Sequence, residues 1–102
     1  MFLHLGKDII VPVKDIVSIL DMNAMYKSKD SKAFLKTAVE EGFIKRISQE
    51  KIKSCVITEQ AIERTRGKKK AVKTIVYYSP ISSTTLQKRA NLIDENYDSN
   101  DR

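Results

Sequence analysis

The sequence predicts a small α+β domain: an antiparallel β-sheet of about five strands, one main helix and a short C-terminal helix. Three observations predict it. Short apolar runs, all but the first rich in β-branched residues, recur at 2–6, 9–13, 15–20, 54–58 and 74–78, the length and composition of strands. One segment, roughly 31–41, carries apolar residues at helical spacing. The stretch Ile-Val-Tyr-Tyr-Ser-Pro-Ile-Ser-Ser-Thr-Thr-Leu-Gln-Lys-Arg-Ala, residues 75–90, passes directly from an aromatic strand into a capped, basic helix.

Residues 2–6 (Phe-Leu-His-Leu-Gly) read as the first strand, and Gly6-Lys7-Asp8 as its turn, because glycine permits the positive φ of a tight hairpin. His4 alternates with apolar neighbours and reads as a half-buried strand residue rather than a ligand or a base. Residues 9–13 form the second strand, with Pro12 placing it at an edge or a kink. Residues 15–20 fit either a helical face or a strand; their brevity and β-branching favour the strand. Asp21 to Lys29 is a polar connector. Asp30 or Ser31 then caps the main helix, with Phe34, Leu35, Ala38 and Val39 as its apolar stripe. Gly42 suits the position after the helix, and Phe43 can fold back on the last turn.

Residues 44–53 are basic and irregular, and 54–58 (Ser-Cys-Val-Ile-Thr) is a strand. Residues 59–73 join it to the strand at 74–78 as a long hairpin loop with Gly67 at its tip. Pro80 ends that strand, since proline gives no N–H to a ladder. Ser82 or Ser83 caps the last helix, which carries Leu86 inward and Lys88-Arg89 at its negative pole. The domain runs over residues 1–93, and 94–102 reads as an acidic, disordered tail.

The formal charge of +6 hides an asymmetry: residues 91–102 carry −3 and residues 1–90 carry +9. Arg64, Arg66, Lys68, Lys69, Lys70 and Lys73 fall within ten residues. As a loop tip they are merely solvated; as a finger on nucleic acid each neutralises a phosphate and releases counterions. Their density favours the finger. A membrane surface would also suit the charge, but no run of 18 apolar residues crosses a bilayer and no signal peptide is read at the N-terminus. Cys55, the single cysteine, allows no internal disulfide, which makes a reducing cytoplasm the expectation, and it reads as a buried, inert thiol.

Catalytic chemistry finds no support. The three glycines lie far apart, so no phosphate loop exists, and no Cys/His set holds a metal. The serines at 79–83 lie some 75 residues from the one histidine. We therefore expect no enzyme, no cofactor and no metal.

Two segments bear a likeness. Phe-Leu-His-Leu-Gly…Ile-Val-Pro-Val-Lys-Asp-Ile-Val-Ser-Ile-Leu-Asp at the start, and Tyr-Ser-Pro-Ile-Ser-Ser-Thr-Thr-Leu-Gln-Lys-Arg-Ala over 78–90, resemble the RemA/RemB family of extracellular-matrix (biofilm) regulators of Gram-positive bacteria. Phe34…Glu41-Gly42-Phe43-Ile44 is similar to the family's middle, and the likeness, closer to the B type, covers nearly all of 1–93. It implies a bacterial DNA-binding transcriptional regulator without a helix-turn-helix, whose β-rich subunits assemble into a ring with a basic periphery. Repetition of one weak patch would then supply avidity that one subunit lacks.

On the resemblance, the basic residue after the second strand is Lys14. An Arg-rich step before the central strand falls at Lys51-Ile52-Lys53, where lysine cannot make the bidentate contact of arginine. The 64–73 loop is longer and more basic than the family pattern and stands in for the missing cations. The candidate DNA contacts are Lys14, Lys51, Lys53, Arg64, Arg66, Lys68, Lys69, Lys70, Lys88 and Arg89. Lys88 and Arg89 suit a subunit contact equally well. The competing expectation is a non-enzymatic assembly adaptor whose basic loop meets an acidic protein.

Overall fold

The computed structural model describes residues 1–62 and 71–90, in which six strands divide between two sheets. β1 (Phe2–Gly6) and β2 (Ile9–Pro12) make an antiparallel hairpin. Gly6 at φ 131° and Lys7 at φ 48° turn it. A side chain at Gly6 would be strained by that φ and would set its Cβ 3.2 Å from both Ile47 and Pro80, so the turn seats directly on the rest of the domain. A 3-10 turn over Val13–Asp15 leads into β3 (Ile16–Asp21).

Two helices follow. The segment expected as a polar connector is instead α1 (Met22–Lys27). Its cap is Asp21, whose side chain accepts the Ala24 N–H at 2.8 Å, and Met22 and Met25, one turn apart, are both buried. Burial of that pair outweighs the poor prospects of a six-residue helix on its own. α2 (Lys29–Glu40) begins earlier than expected, because Ser28 rather than Asp30 or Ser31 is the cap, accepting the Ser31 N–H at 3.3 Å. Leu35 and Ala38 point inward, whereas Phe34 and Val39 are exposed, so the stripe is half the expected width. The helix ends as expected. Gly42, at φ 76°, donates to Val39 O, and Phe43 donates to Ala38 O, the paired bonds of a Schellman motif.

β4 (Ile44–Arg46) lies where irregular chain was expected, and it runs parallel to β6. β5 (Ser54–Ile62) and β6 (Ala71–Ser79) are each nine residues, so the hairpin stem extends well into the expected loop. The rest of that loop, residues 63–70, lies outside the described residues, as do residues 91–102 and with them the domain boundary placed at 93. α3 spans 83–90, capped by Ser82, whose Oγ accepts the Thr85 N–H at 3.2 Å. The α+β reading holds, with the four-stranded sheet in the order β3-β5-β6-β4.

Alternation along β5 and β6 sends side chains to two faces and gives two cores. On one face Val56 and Tyr77 meet Leu3, Leu5 and Val11 of the hairpin, Ile47, and Leu86 of α3. On the other, Cys55 and Val76 meet Met22, Met25, Leu35 and Ala38. The sheet is thus a middle layer, with the hairpin and α3 on one side and α1 and α2 on the other. Ser79 ties the layers where Pro80 ends the strand: its buried Oγ donates to Leu5 O at 2.6 Å and accepts the Ile81 N–H at 3.0 Å.

Candidate nucleic-acid interface

β3 measures the separation of the candidate cations. Lys14 is exposed on the turn just before it. α3 lies along its outer edge, where Gln87 Nε2 donates to Ile19 O at 3.0 Å. The start of α3 is fixed at the far end of β3: Ser54, which pairs with Asp21, donates its hydroxyl to Ile81 O at 2.7 Å. Its other end reaches back to the near end, where Gln87 and Ala90 line a shallow recess of about 330 Å³ with Val13, Ile16 and Val17. α3 therefore runs against the direction of β3, and its exposed Lys88 and Arg89 end on Lys14's side.

Lys51 and Lys53 are exposed at the opposite end. The backbone of Lys53 is pinned there, donating to Ser79 O at 2.9 Å and accepting from the Met22 N–H at 3.1 Å. The six residues of β3 put about 20 Å between the two groups. So Lys14, Lys88 and Arg89 are brought to one end, and Lys51 and Lys53 are not part of that group. Arg64, Arg66, Lys68, Lys69 and Lys70 lie outside the described residues. The stem that leads to them is described: Thr58 pairs with Ile16, and β5 runs on to Ile62, so the stem projects beyond the Lys14 end of the sheet.

Arg46 was hidden in the sequence among the irregular basic residues. Its guanidinium donates to three backbone carbonyls, Ser48 O at 2.8 Å, Glu50 O at 3.1 Å and Gln49 O at 3.4 Å. Ser48 Oγ accepts the Glu50 N–H at 3.2 Å within the same turn. Arg46 is thus a positioning residue that shapes the turn leading to Lys51. The only hint in the sequence is an arginine two residues ahead of a Ser-Gln-Glu turn.

Other candidates behave as inert groups. Cys55 is fully buried, and burial pushes its thiol up to about 11, away from the reactive thiolate. His4 is exposed rather than half-buried, and its Nε2 meets the carbonyl of Lys7 within the hairpin turn. Tyr77 and Tyr78 are raised above the ordinary phenol value, chiefly by burial, with Asp15 adding at Tyr77 and Cys55 and Tyr26 at Tyr78. Among the described residues no three His, Cys, Asp or Glu side chains come close enough to hold a metal, and no helix is long and apolar enough to cross a membrane.

Comparison with known proteins gives two matches. Residues 2–90 match the family model RemA-like, described as extracellular matrix regulatory protein A-like. The chain is also 38% identical over 95 residues to the extracellular matrix regulatory protein B of Bacillus subtilis (strain 168). That match covers 93% of this chain and 96% of the relative.

Proposed function

This chain belongs to the RemA-like family of extracellular matrix regulators, and on that premise we propose that it is a DNA-binding transcriptional regulator of matrix genes. It acts on the phosphate backbone through a basic surface that a ring-like homo-oligomer repeats. The observation that carries this reading is the gathering of Lys14, Lys88 and Arg89 at the end of the sheet from which the β5–β6 stem projects. Cations spread along the sequence by some 75 residues thereby meet the approach path of one duplex. Lys51 and Lys53, about 20 Å away, meet a different stretch of the same backbone or the next turn around a bent duplex.

Self-association is supported by the outer face of the hairpin. Phe2 and Ile10 are 64% and 57% exposed and lie diagonally across the β1–β2 pair, flanked by Pro12 and His4. Apolar residues set side by side in this way suit contact with a neighbouring subunit. A head-to-tail contact that closes on itself multiplies each subunit's few phosphate contacts. In this reading charge and DNA bending carry the recognition.

The test is duplex binding across a salt series with the wild-type chain and with Lys14, Lys88 and Arg89 neutralised to glutamine. The expected result is affinity that falls steeply with salt, and a logarithmic slope reduced by about 0.9 for each contact removed. Binding that ignores both salt and these substitutions overturns the reading and leaves the assembly-adaptor alternative.

A further inference from the structure

β6 has an open edge. Val76 donates its N–H to Phe43 O at 2.8 Å, and Tyr78 accepts the Ile47 N–H at 3.1 Å, both on the side of β4. Backbone groups alternate sides along a strand, so Val72 and Thr74 turn theirs to that same side. β4 pairs only from Val76 onward. Among the described residues, no strand lies against the edge at Val72 and Thr74. A groove of about 650 Å³ runs there instead, lined by Phe43, Lys45, Ile62, Val72, Lys73 and Thr74.

The lining selects an occupant. Register places Lys73 on the same face of the sheet as Tyr77, and Lys45 opposite Tyr77, so both cations share one face, with Val72 on the other. Val72 is 59% exposed and Ile62 42%. Glu41 is the one acid at the rim. Three occupants compare poorly. A second β6 placed antiparallel in the register that pairs Val72 with Thr74 would set Lys73 against its own copy, and like charges facing each other repel. The β3 edge of another copy is bulged between Ile16 and Ser18, and its Ile19 carbonyl is already taken by Gln87. A nucleic-acid backbone offers phosphate acceptors to the N–H groups, but it has no donors spaced to meet the carbonyls of Val72 and Thr74.

We propose that this groove binds an extended acidic peptide segment of a partner protein as an added strand beside Val72 and Thr74. The peptide's own N–H and C=O groups pair with the open edge. Its acidic residues fall on the face of Lys45 and Lys73, and its alternate apolar residues on the face of Val72. This site lies on the opposite edge of the sheet from α3, and it uses none of Lys14, Lys51, Lys53, Lys88 and Arg89.

The test is fluorescence anisotropy of a dye-labelled heptapeptide of alternating glutamate and valine, titrated with the full chain. Thr74→Pro deletes one outward N–H without touching the β5–β6 ladder, whose bonds come from the intervening residues. Lys45→Glu combined with Lys73→Glu reverses the charge and leaves the backbone unaltered. The expected result is saturable binding, weakened at least ten-fold in each variant, while duplex binding by Thr74→Pro, which loses no charge, stays within two-fold of wild type. A lysine–valine peptide should not bind. If Thr74→Pro does not fold, the charge-reversed variant decides alone. Absence of saturable binding, equal affinity in the folded variants, or equal displacement by a single-stranded oligonucleotide overturns the proposal.

Discussion

Gln87 holds Ile19: its side-chain amide donates to the Ile19 carbonyl at 3.0 Å, between residues 68 positions apart. The bond fastens α3 to the outer edge of β3 and so fixes where Lys88 and Arg89 point. It also occupies a carbonyl on a sheet edge that is otherwise open to pairing with another chain. The bond is exposed, so Gln87→Ala should cost no more than about 1 kcal/mol, a fall of several degrees in the thermal midpoint for a domain of this size. Amide exchange in 83–90 should quicken, and duplex affinity should drop although no charge is lost. Unchanged exchange in that helix would show that Leu86 alone seats it.

Leu86 is the apolar half of the same attachment, fully buried against the hairpin and sheet. Leu86→Ala should destabilise the chain by about 2–5 kcal/mol, measured by urea denaturation. A loss below that range would mean that the core collapses around the gap.

Arg46 tests positioning apart from contact. Arg46→Ala frees three carbonyls of the 48–50 turn. Duplex affinity should fall, and Lys51→Ala should then add little in the Arg46→Ala background. A double-mutant cycle measures this coupling. Full additivity would place Lys51 outside the control of that turn.

Burial of Cys55 gives an alkaline signature. In the unfolded chain the thiol ionises near 9, whereas in the fold it holds its proton to about 11. Above pH 9 the unfolded state therefore binds fewer protons, so stability is full below that pH and declines as pH rises toward 11. Tyr77 and Tyr78, also raised, add to the decline from about pH 10. Urea denaturation between pH 8 and 11 should show the fall starting near pH 9 in the wild type and later in Cys55→Ala. A thiol reagent at pH 8 should react only through opening of the fold, far more slowly than with the urea-unfolded chain.

The parts of this fold that the sequence displays are those whose local pattern and tertiary role agree. The strand at 2–6 alternates exposed and buried residues, 54–58 is a short apolar run buried on both faces, and Gly42-Phe43 closes α2 through backbone geometry alone. α1 escapes notice because one and a half turns are too short to show a helical period, and it is stabilised by two methionines that reach the core. β4 escapes because three residues carry no period, and its partner β6 lies some thirty residues on. The candidate interface was legible as a list of cations and not as a grouping. What sorts Lys14 with Lys88 rather than with Lys51 is the reversed run of α3 along β3, a relation fixed by Gln87, Ser54 and Ser82.

In the proposed function a repeated basic patch, and not a single reading head, grips the DNA. Light scattering during size-exclusion chromatography, with and without duplex DNA in low salt, tests it most directly. The expected result is a mass several times the 11.7 kDa of one chain, and co-migration of protein and duplex that is lost when salt is raised. A species of one chain's mass at high concentration, with the duplex eluting as if alone, would contradict it.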